Sequence, residues 1–161
     1  MIFSKSFGYA VRGVLYIALM QDEKRYVQVE EIANKLGVPR FFMGKILKRL
    51  VKEKMIASSK GPLGGFTITE RTLQAPLMDL VMITDGPEIF QSCVLSVREC
   101  SSVNPCPLHY QVEEVKTRLT SVLNNNSIAD LLTENKPDFI KSIATGEKEP
   151  TLDNIINQKI F

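Results

Sequence analysis

The stretch that most constrains this chain runs from residue 30 to residue 55, EEIANKLGVPRFFMGKILKRLVKEKM. Ile32, Ala33 and Leu36 recur at helical spacing, and Gly37 stands where a helix C-terminus favours a left-handed residue. Pro39 suits the first turn of a further helix, in which Phe42, Met43, Ile46, Leu47, Leu50 and Val51 recur at three and four. The opposite face of that helix is basic. Helix, glycine turn, helix is the pattern of a helix-turn-helix.

The flanks agree with it. KSFGYAVRGVLYIALM, residues 5–20, places Phe7, Ala10, Val11, Val14, Leu15, Ala18 and Leu19 at helical spacing, with Ser4 as cap, which predicts a mostly buried first helix. A polar loop and a short apolar stretch, YVQV, separate it from the second helix. After the basic helix, MIASS and FTIT read as short strands joined by KGPLGG, a turn with three glycines and a proline. A hairpin in that place is a wing.

Charge is concentrated on the same element. Arg40, Lys45, Lys48, Arg49, Lys52, Lys54 and Lys60 stand against Glu53 alone between residues 40 and 60, a local +6, whereas the whole chain carries only +2. An amphipathic helix of this length fits the major groove, its Lys and Arg neutralise phosphates, and a glycine-rich hairpin brings backbone close to the neighbouring groove. Three agreeing signals make double-stranded DNA the expected partner, where a basic face alone would be an ordinary solvated surface.

Beyond the wing, APLMDLVMITDG at 75–86 predicts another helix, stopped at Gly86-Pro87. PLHYQVEEVKTRLTSVLNN then carries Leu108, Val112, Val115, Leu119, Val122 and Leu123 on one long stripe, which suggests packing against a partner. SIADLLTE, residues 127–134, reads as a short helix capped by Ser127, and PTLDNIINQKIF can be drawn as an amphipathic helix near the end of the chain. At 161 residues the chain suits one compact domain or a small domain with an extension. The expected fold is mainly α, a winged helix-turn-helix with a two-stranded wing and a long C-terminal helix. Its expected division is a DNA-binding unit at 1–74, a linking helix, cysteine loop and dimerisation helix at 75–134, and a tail at 135–161.

Every cysteine and the single histidine fall in CVLSVRECSSVNPCPLH, residues 93–109. Cys93, Cys100 and Cys106 lie in a polar loop with Ser101, Ser102, Asn104 and Pro105, where irregular backbone is able to wrap a ligand. Pro107 predicts a first helical turn, which would place the Cys106 thiol near the helix cap with His109 on the same face. Thiolates plus imidazole suit zinc or an iron-sulfur cluster. Three buried cysteines used as small hydrophobes would be scattered through helices and strands, and structural zinc prefers shorter paired spacings than these.

SKSFGYAVRGVLYIAL, EEIANKLGVPRFFMGKILKRLVKEKMIASSKGPLGGFTIT and the cysteine cluster together resemble the winged-helix regulators of the IscR and NsrR type, the Rrf-two superfamily, over roughly residues 1–134. The resemblance implies a homodimer joined through the long helix, with two recognition helices one DNA turn apart. It implies a [2Fe-2S] or [4Fe-4S] cluster on the three cysteines. His109 occupies the place of the histidine that completes the [2Fe-2S] site in IscR-like members, so Cys93, Cys100, Cys106 and His109 are the expected ligands and [2Fe-2S] is favoured over [4Fe-4S]. The first cysteine gap here is one residue longer than in the resemblance. A solvent-facing loop cluster is readily lost or oxidised during purification.

On the DNA side, Lys60 takes the place of the arginine that enters the minor groove, next to Gly61, and supplies charge without a fork of donors. Where IscR-like members carry a Glu-Gln pair, this chain has Gly44 and Lys45, so those base contacts do not transfer. By position Phe41, Gly44 and Lys45 face the bases, with Lys5, Arg40, Lys48 and Arg49 nearer the phosphates. The resulting expectation is a cytoplasmic, dimeric transcription regulator whose promoter binding follows an iron-sulfur cluster through redox, nitric oxide or iron status. The alternative is the same regulator using its cysteines as a metal-free thiol switch or a zinc site. No apolar stretch reaches membrane-spanning length, and no phosphate loop, carboxylate pair or orienting residue beside Cys106 and His109 supports an enzyme.

Overall fold

The computed structural model describes residues 3–95 and 101–133. The first helix, α1 (Lys5–Leu19), begins at Ser4, whose hydroxyl accepts from the Phe7 N–H at 3.3 Å, and runs into a 3-10 turn at Met20–Asp22. Ser4 also donates its N–H to Asp85 at 3.0 Å, tying the start of α1 to the end of a later helix. Ala10, Val14 and Leu15 of α1 are buried, as the periodicity predicts, and Ile17, outside that set, is buried with them.

The helix-turn-helix is α2 (Val29–Leu36) and α3 (Arg40–Lys52). Gly37 takes a left-handed φ of 63°, and the Val38 N–H donates to the Ala33 carbonyl at 3.0 Å, the bond that closes a Schellman stop. Pro39 lies one residue earlier than its expected place in the first turn, serving as the N-cap of α3. Ile32, Met43, Leu47 and Leu50 are fully buried against α1, and each such side chain stabilises the fold by about 1.5–3 kcal/mol relative to exposure.

The wing is shorter than the strand-like runs suggest. β1 (Ala57–Ser59) pairs antiparallel with β2 (Gly65–Thr67), with Ser58 opposite Phe66. Val27, from the YVQV stretch, adds an isolated rung, exchanging backbone hydrogen bonds of 2.8 and 2.9 Å with Phe66. Ile68 and Thr69 leave the strand because Thr69 caps a further helix, α4 (Glu70–Gln74), through reciprocal bonds with Thr72. The buried Thr72 hydroxyl donates to the Met55 carbonyl at 2.7 Å and so fixes α4 to the end of the recognition helix.

α5 (Leu77–Thr84) packs on α1 and α3, and a four-residue helix, α6 (Glu88–Gln91), precedes the cysteine loop. The long helix α7 (His109–Asn125) packs on α5, and α8 (Ile128–Thr133) returns against α4 and α1, pinned by the bridge between Pro76 and Ser127. The Ser127 hydroxyl accepts from the Asp130 N–H at 3.2 Å, the cap expected there. The amphipathic segment read at 150–161 lies outside the described residues. No helix among the described residues is long and apolar enough to cross a membrane.

Candidate nucleic-acid interface and cysteine loop

The recognition helix buries Met43, Ile46, Leu47 and Leu50 and so turns Arg40, Phe41, Gly44, Lys45 and Lys48 outward. These five residues surround one surface cavity of about 160 Å³, floored by Val29 and Phe66. Phe41 and its neighbour Phe42 are 67% and 57% exposed, which a core position would not tolerate. The Lys45 ammonium lies 4.4 Å from the centre of the Phe41 ring, a cation-π contact that holds both side chains over the helix.

Arg40 pairs with Glu30, the N-terminal acid of α2. The Glu30 carboxyl is held below its ordinary value by its own backbone N–H and then by the Arg40 guanidinium. Arg49 donates to the Thr84 carbonyl at 3.4 Å, so it also anchors α5, and Lys5 opens α1 at the exposed end of the chain's first helix. Neither lines the recognition-helix cavity.

The wing tip presents Lys60, Gly61 and Leu63 to solvent, with Leu63 92% exposed. Gln28, ahead of α2, donates to the Pro62 carbonyl at 2.9 Å and clamps the wing to the helix-turn-helix. Val29, Phe66, Gln28 and Glu30 are the parts of this surface that sequence reasoning did not mark. YVQV contains Gln28 and Val29, and FTIT begins at Phe66, but neither run marks those side chains as part of this surface.

The cysteine loop is described on both sides of Cys100, which lies outside the described residues. Cys93 is buried after α6, Cys106 is partly exposed, and His109 is buried as the first residue of α7. Leu108, not Cys106, is the N-cap of α7, because helical hydrogen bonding begins after the turn in which the His109 N–H donates to the Cys106 carbonyl at 3.0 Å. Cys106 and Pro107 therefore precede the helix, with Cys106 two residues ahead of its N-cap.

The His109 Nε2 lies 3.2 Å from a Glu113 carboxylate oxygen one turn on, and its ring meets Tyr110 edge to face at 5.1 Å. His109 and Glu113 line a cavity of about 540 Å³ with Ser101, Ser102 and Gln91. Cys93 lines an adjoining, more apolar cavity of about 450 Å³, and Phe90 and Lys116 border both. Lys116 of α7 donates to the Ser92 carbonyl at 2.7 Å, so the long helix grips the backbone next to Cys93. No group of three or more His, Cys, Asp or Glu side chains is gathered as a metal site among the described residues. Two thiols and an imidazole nevertheless retain the donor chemistry that suits iron-sulfur or zinc ligation.

The expected stripe on α7 divides in two. Leu119 and Leu123 turn toward the core, whereas Leu108, Val115 and Val122 are 46%, 58% and 55% exposed at intervals of seven residues. One helix thus serves an internal and an external face.

Helix-turn-helix, clamped wing and outward basic-aromatic face define the class, a winged helix-turn-helix protein. A sequence-family model described as "Rrf2: Iron-dependent Transcriptional regulator" matches residues 3–134, and the chain belongs to this family of transcriptional regulators. A protein named as an HTH-type transcriptional regulator in Aquifex aeolicus is 34% identical over 134 residues, covering 82% of this chain and 92% of that one. The regulator IscR of Vibrio vulnificus is 23% identical over 128 residues, 80% of this chain and 75% of that protein. Among solved structures, CymR, the global cysteine regulator of B. subtilis, superposes with a TM-score of 0.66 at 16% identity, covering 80% of this chain and 94% of its own. The IscR of T. potens gives a TM-score of 0.61 at 18% identity over 80% of this chain and 84% of its own. These proteins are regulators, not enzymes.

Proposed function

We propose that this Rrf2-family regulator binds promoter DNA as a cytoplasmic homodimer and that an iron-sulfur cluster in its cysteine loop controls that binding. The single observation that carries the reading is the attachment of the loop to the long helix. His109 opens α7, Lys116 of α7 holds the carbonyl beside Cys93, and both ends of the loop therefore act on one rigid element.

The DNA reader would occupy residues 1–74 and the loop and dimer helix residues 75–134, with 135–161 as a tail. Phe41, Gly44 and Lys45 would meet the bases. Lys5, Arg40, Lys48 and Arg49 would neutralise phosphates, and Lys60 with Gly61 would approach the minor groove. Leu108, Val115 and Val122 would meet the partner's α7.

Cys93, Cys100, Cys106 and His109 would hold the cluster, with [2Fe-2S] favoured because an imidazole stands after the last cysteine. Such a group, when bound, supplies iron that responds to oxidants, nitric oxide and iron supply. The residues of the chain carry the response onward. A loop drawn in around its ligands pulls on α7 through Lys116, α7 packs on α5, and α5 is bonded to the recognition helix through Arg49. Two loop states would thus favour two spacings of the paired recognition helices, which is a ligand-biased equilibrium. Cys106 is partly exposed, and that observation favours a second reading, a metal-free thiol switch or zinc site on the same cysteines.

Anaerobic purification followed by visible spectroscopy and metal analysis separates the readings. Brown protein containing iron and sulfide, with absorbance lost in Cys93→Ala or Cys106→Ala, supports the cluster. Colourless protein holding zinc, or no metal after anaerobic reconstitution, overturns it.

A further inference from the structure

Gly44 is the fifth residue of α3, and nothing in the protein requires a glycine there. Its φ is not among the left-handed ones. A Cβ built on it meets only Val29 Cγ2, at 3.8 Å, an ordinary van der Waals contact. Interior glycine weakens a helix relative to alanine, so the fold by itself would be better served by alanine. What glycine preserves is space on the outward face of the recognition helix.

That space is the cavity of about 160 Å³ already described. Val29, Phe66 and Phe41 line it with apolar side chains, and Arg40, Lys45 and Lys48 line it with charged ones. The Lys45 ammonium is drawn over the Phe41 ring at 4.4 Å. The side chains of Val29, Phe41 and Phe66 offer neither hydrogen-bond donors nor acceptors. On the base edges of a major groove, the C5-methyl of thymine is the one apolar group, every other exposed feature being a donor or an acceptor. An apolar notch ringed by cations therefore matches a thymine methyl flanked by phosphates.

We propose that the notch at Gly44 seats a thymine methyl, so that Phe41, Gly44 and Val29 select an A·T pair at one position of each half-site by apolar contact. The inference rests on the DNA-binding reading and assigns it a base. Cavity volume exceeds that of a methyl group, so the edge of the thymine ring enters with it.

The test begins by enriching tight-binding duplexes from a random-sequence library with the full-length wild-type protein. Each thymine is then replaced singly by uracil, which removes the methyl and keeps the pairing. One thymine per half-site is expected at which uracil weakens binding about fourfold, the value of one buried methyl-sized contact. Gly44→Ala, which fits the protein, is expected to keep or raise the melting temperature and to leave the salt dependence of binding unchanged. In it the thymine-to-uracil ratio falls to about one, and Phe41→Ala does the same from the other wall. Tolerance of uracil at every position overturns the proposal, as does a Gly44→Ala protein that still discriminates thymine from uracil. A library that enriches nothing, with no salt-dependent DNA binding, overturns the DNA-binding reading and the notch with it; enrichment without uracil sensitivity overturns the notch alone.

Discussion

The Tyr16 hydroxyl donates to the Glu31 carboxylate at 2.9 Å, joining the first helix to the first arm of the helix-turn-helix. Lys24 reaches the same carboxylate at 2.9 and 3.1 Å. Burial and the Glu31 bond push the Tyr16 hydroxyl well above its ordinary value. For Glu31 burial acts upward, but the bonds from Lys24 and Tyr16 outweigh it and hold the carboxyl below its usual 4.5. A depressed carboxyl stabilises the fold above its unfolded value and loses that contribution as pH falls through the folded one. A raised phenol stabilises below its unfolded 10.0 and loses that contribution as pH rises through the folded value. The melting temperature should therefore form a plateau between about pH 5 and pH 9. Tyr16→Phe should lower stability by about 1 kcal/mol on that plateau and flatten its alkaline limb, as read by thermal melts across the pH range.

Gly64 is close-packed in the wing. A Cβ there would lie 2.3 Å from the Ser59 carbonyl oxygen, and backbone cannot step aside as a side chain can. Gly64→Ala should cost about 1–3 kcal/mol of stability, keep the helical circular dichroism and lower DNA affinity by at least about tenfold, because the wing no longer closes. Melting and gel-shift measurements on the same preparation check both halves.

Phosphate contacts have a different signature. Lys48→Ala and Lys60→Ala should each reduce the slope of log affinity against log salt by about one and weaken all sequences alike. Glu30→Gln releases Arg40 from its ion pair and removes a negative charge from this face, so binding should tighten by roughly threefold at low salt. Fluorescence anisotropy over a salt series reads all three.

Val115 and Val122 leave more than half of their surface in water, so aspartate at both should change the stability of a single subunit by no more than about 0.5 kcal/mol. The same pair of changes should convert the proposed dimer to a monomer, read by light scattering after gel filtration. A V115D/V122D protein that stays dimeric places the interface elsewhere.

The parts of the molecule legible in the sequence are those governed by short-range rules. The period of α1 to α3, the Ser4 cap and the left-handed Gly37 stop all appear where local chemistry puts them. α4 is hidden because Thr69 closes the strand-like run FTIT, yet its hydroxyl builds a reciprocal helix cap with Thr72. The rung between Val27 and Phe66 joins residues far apart in sequence, and no local pattern announces it. The α7 stripe reads as one face because apolar spacing does not say which side meets the core, and packing on α5 divides it. At the DNA face, residue types pointed to Phe41, Gly44 and Lys45, whereas the notch needs Val29 and Phe66, supplied by two other elements. In the cysteine loop, Pro107 suggests a first helical turn with Cys106 near its cap, but the turn closed by the Cys106 carbonyl delays the helix to His109.

The proposed control by the cysteine loop comes down to one quantity, the DNA affinity that the state of the loop sets. Its most direct measurement compares the affinity of wild-type protein for an enriched duplex, before and after anaerobic cluster reconstitution, with that of Cys100→Ala treated identically. The wild-type protein should show two affinities differing by about fivefold or more, the usual scale of coupling between sites, and the variant should show one. Equal affinities for wild type in both states would contradict the account, while leaving a DNA-binding protein whose loop does something else.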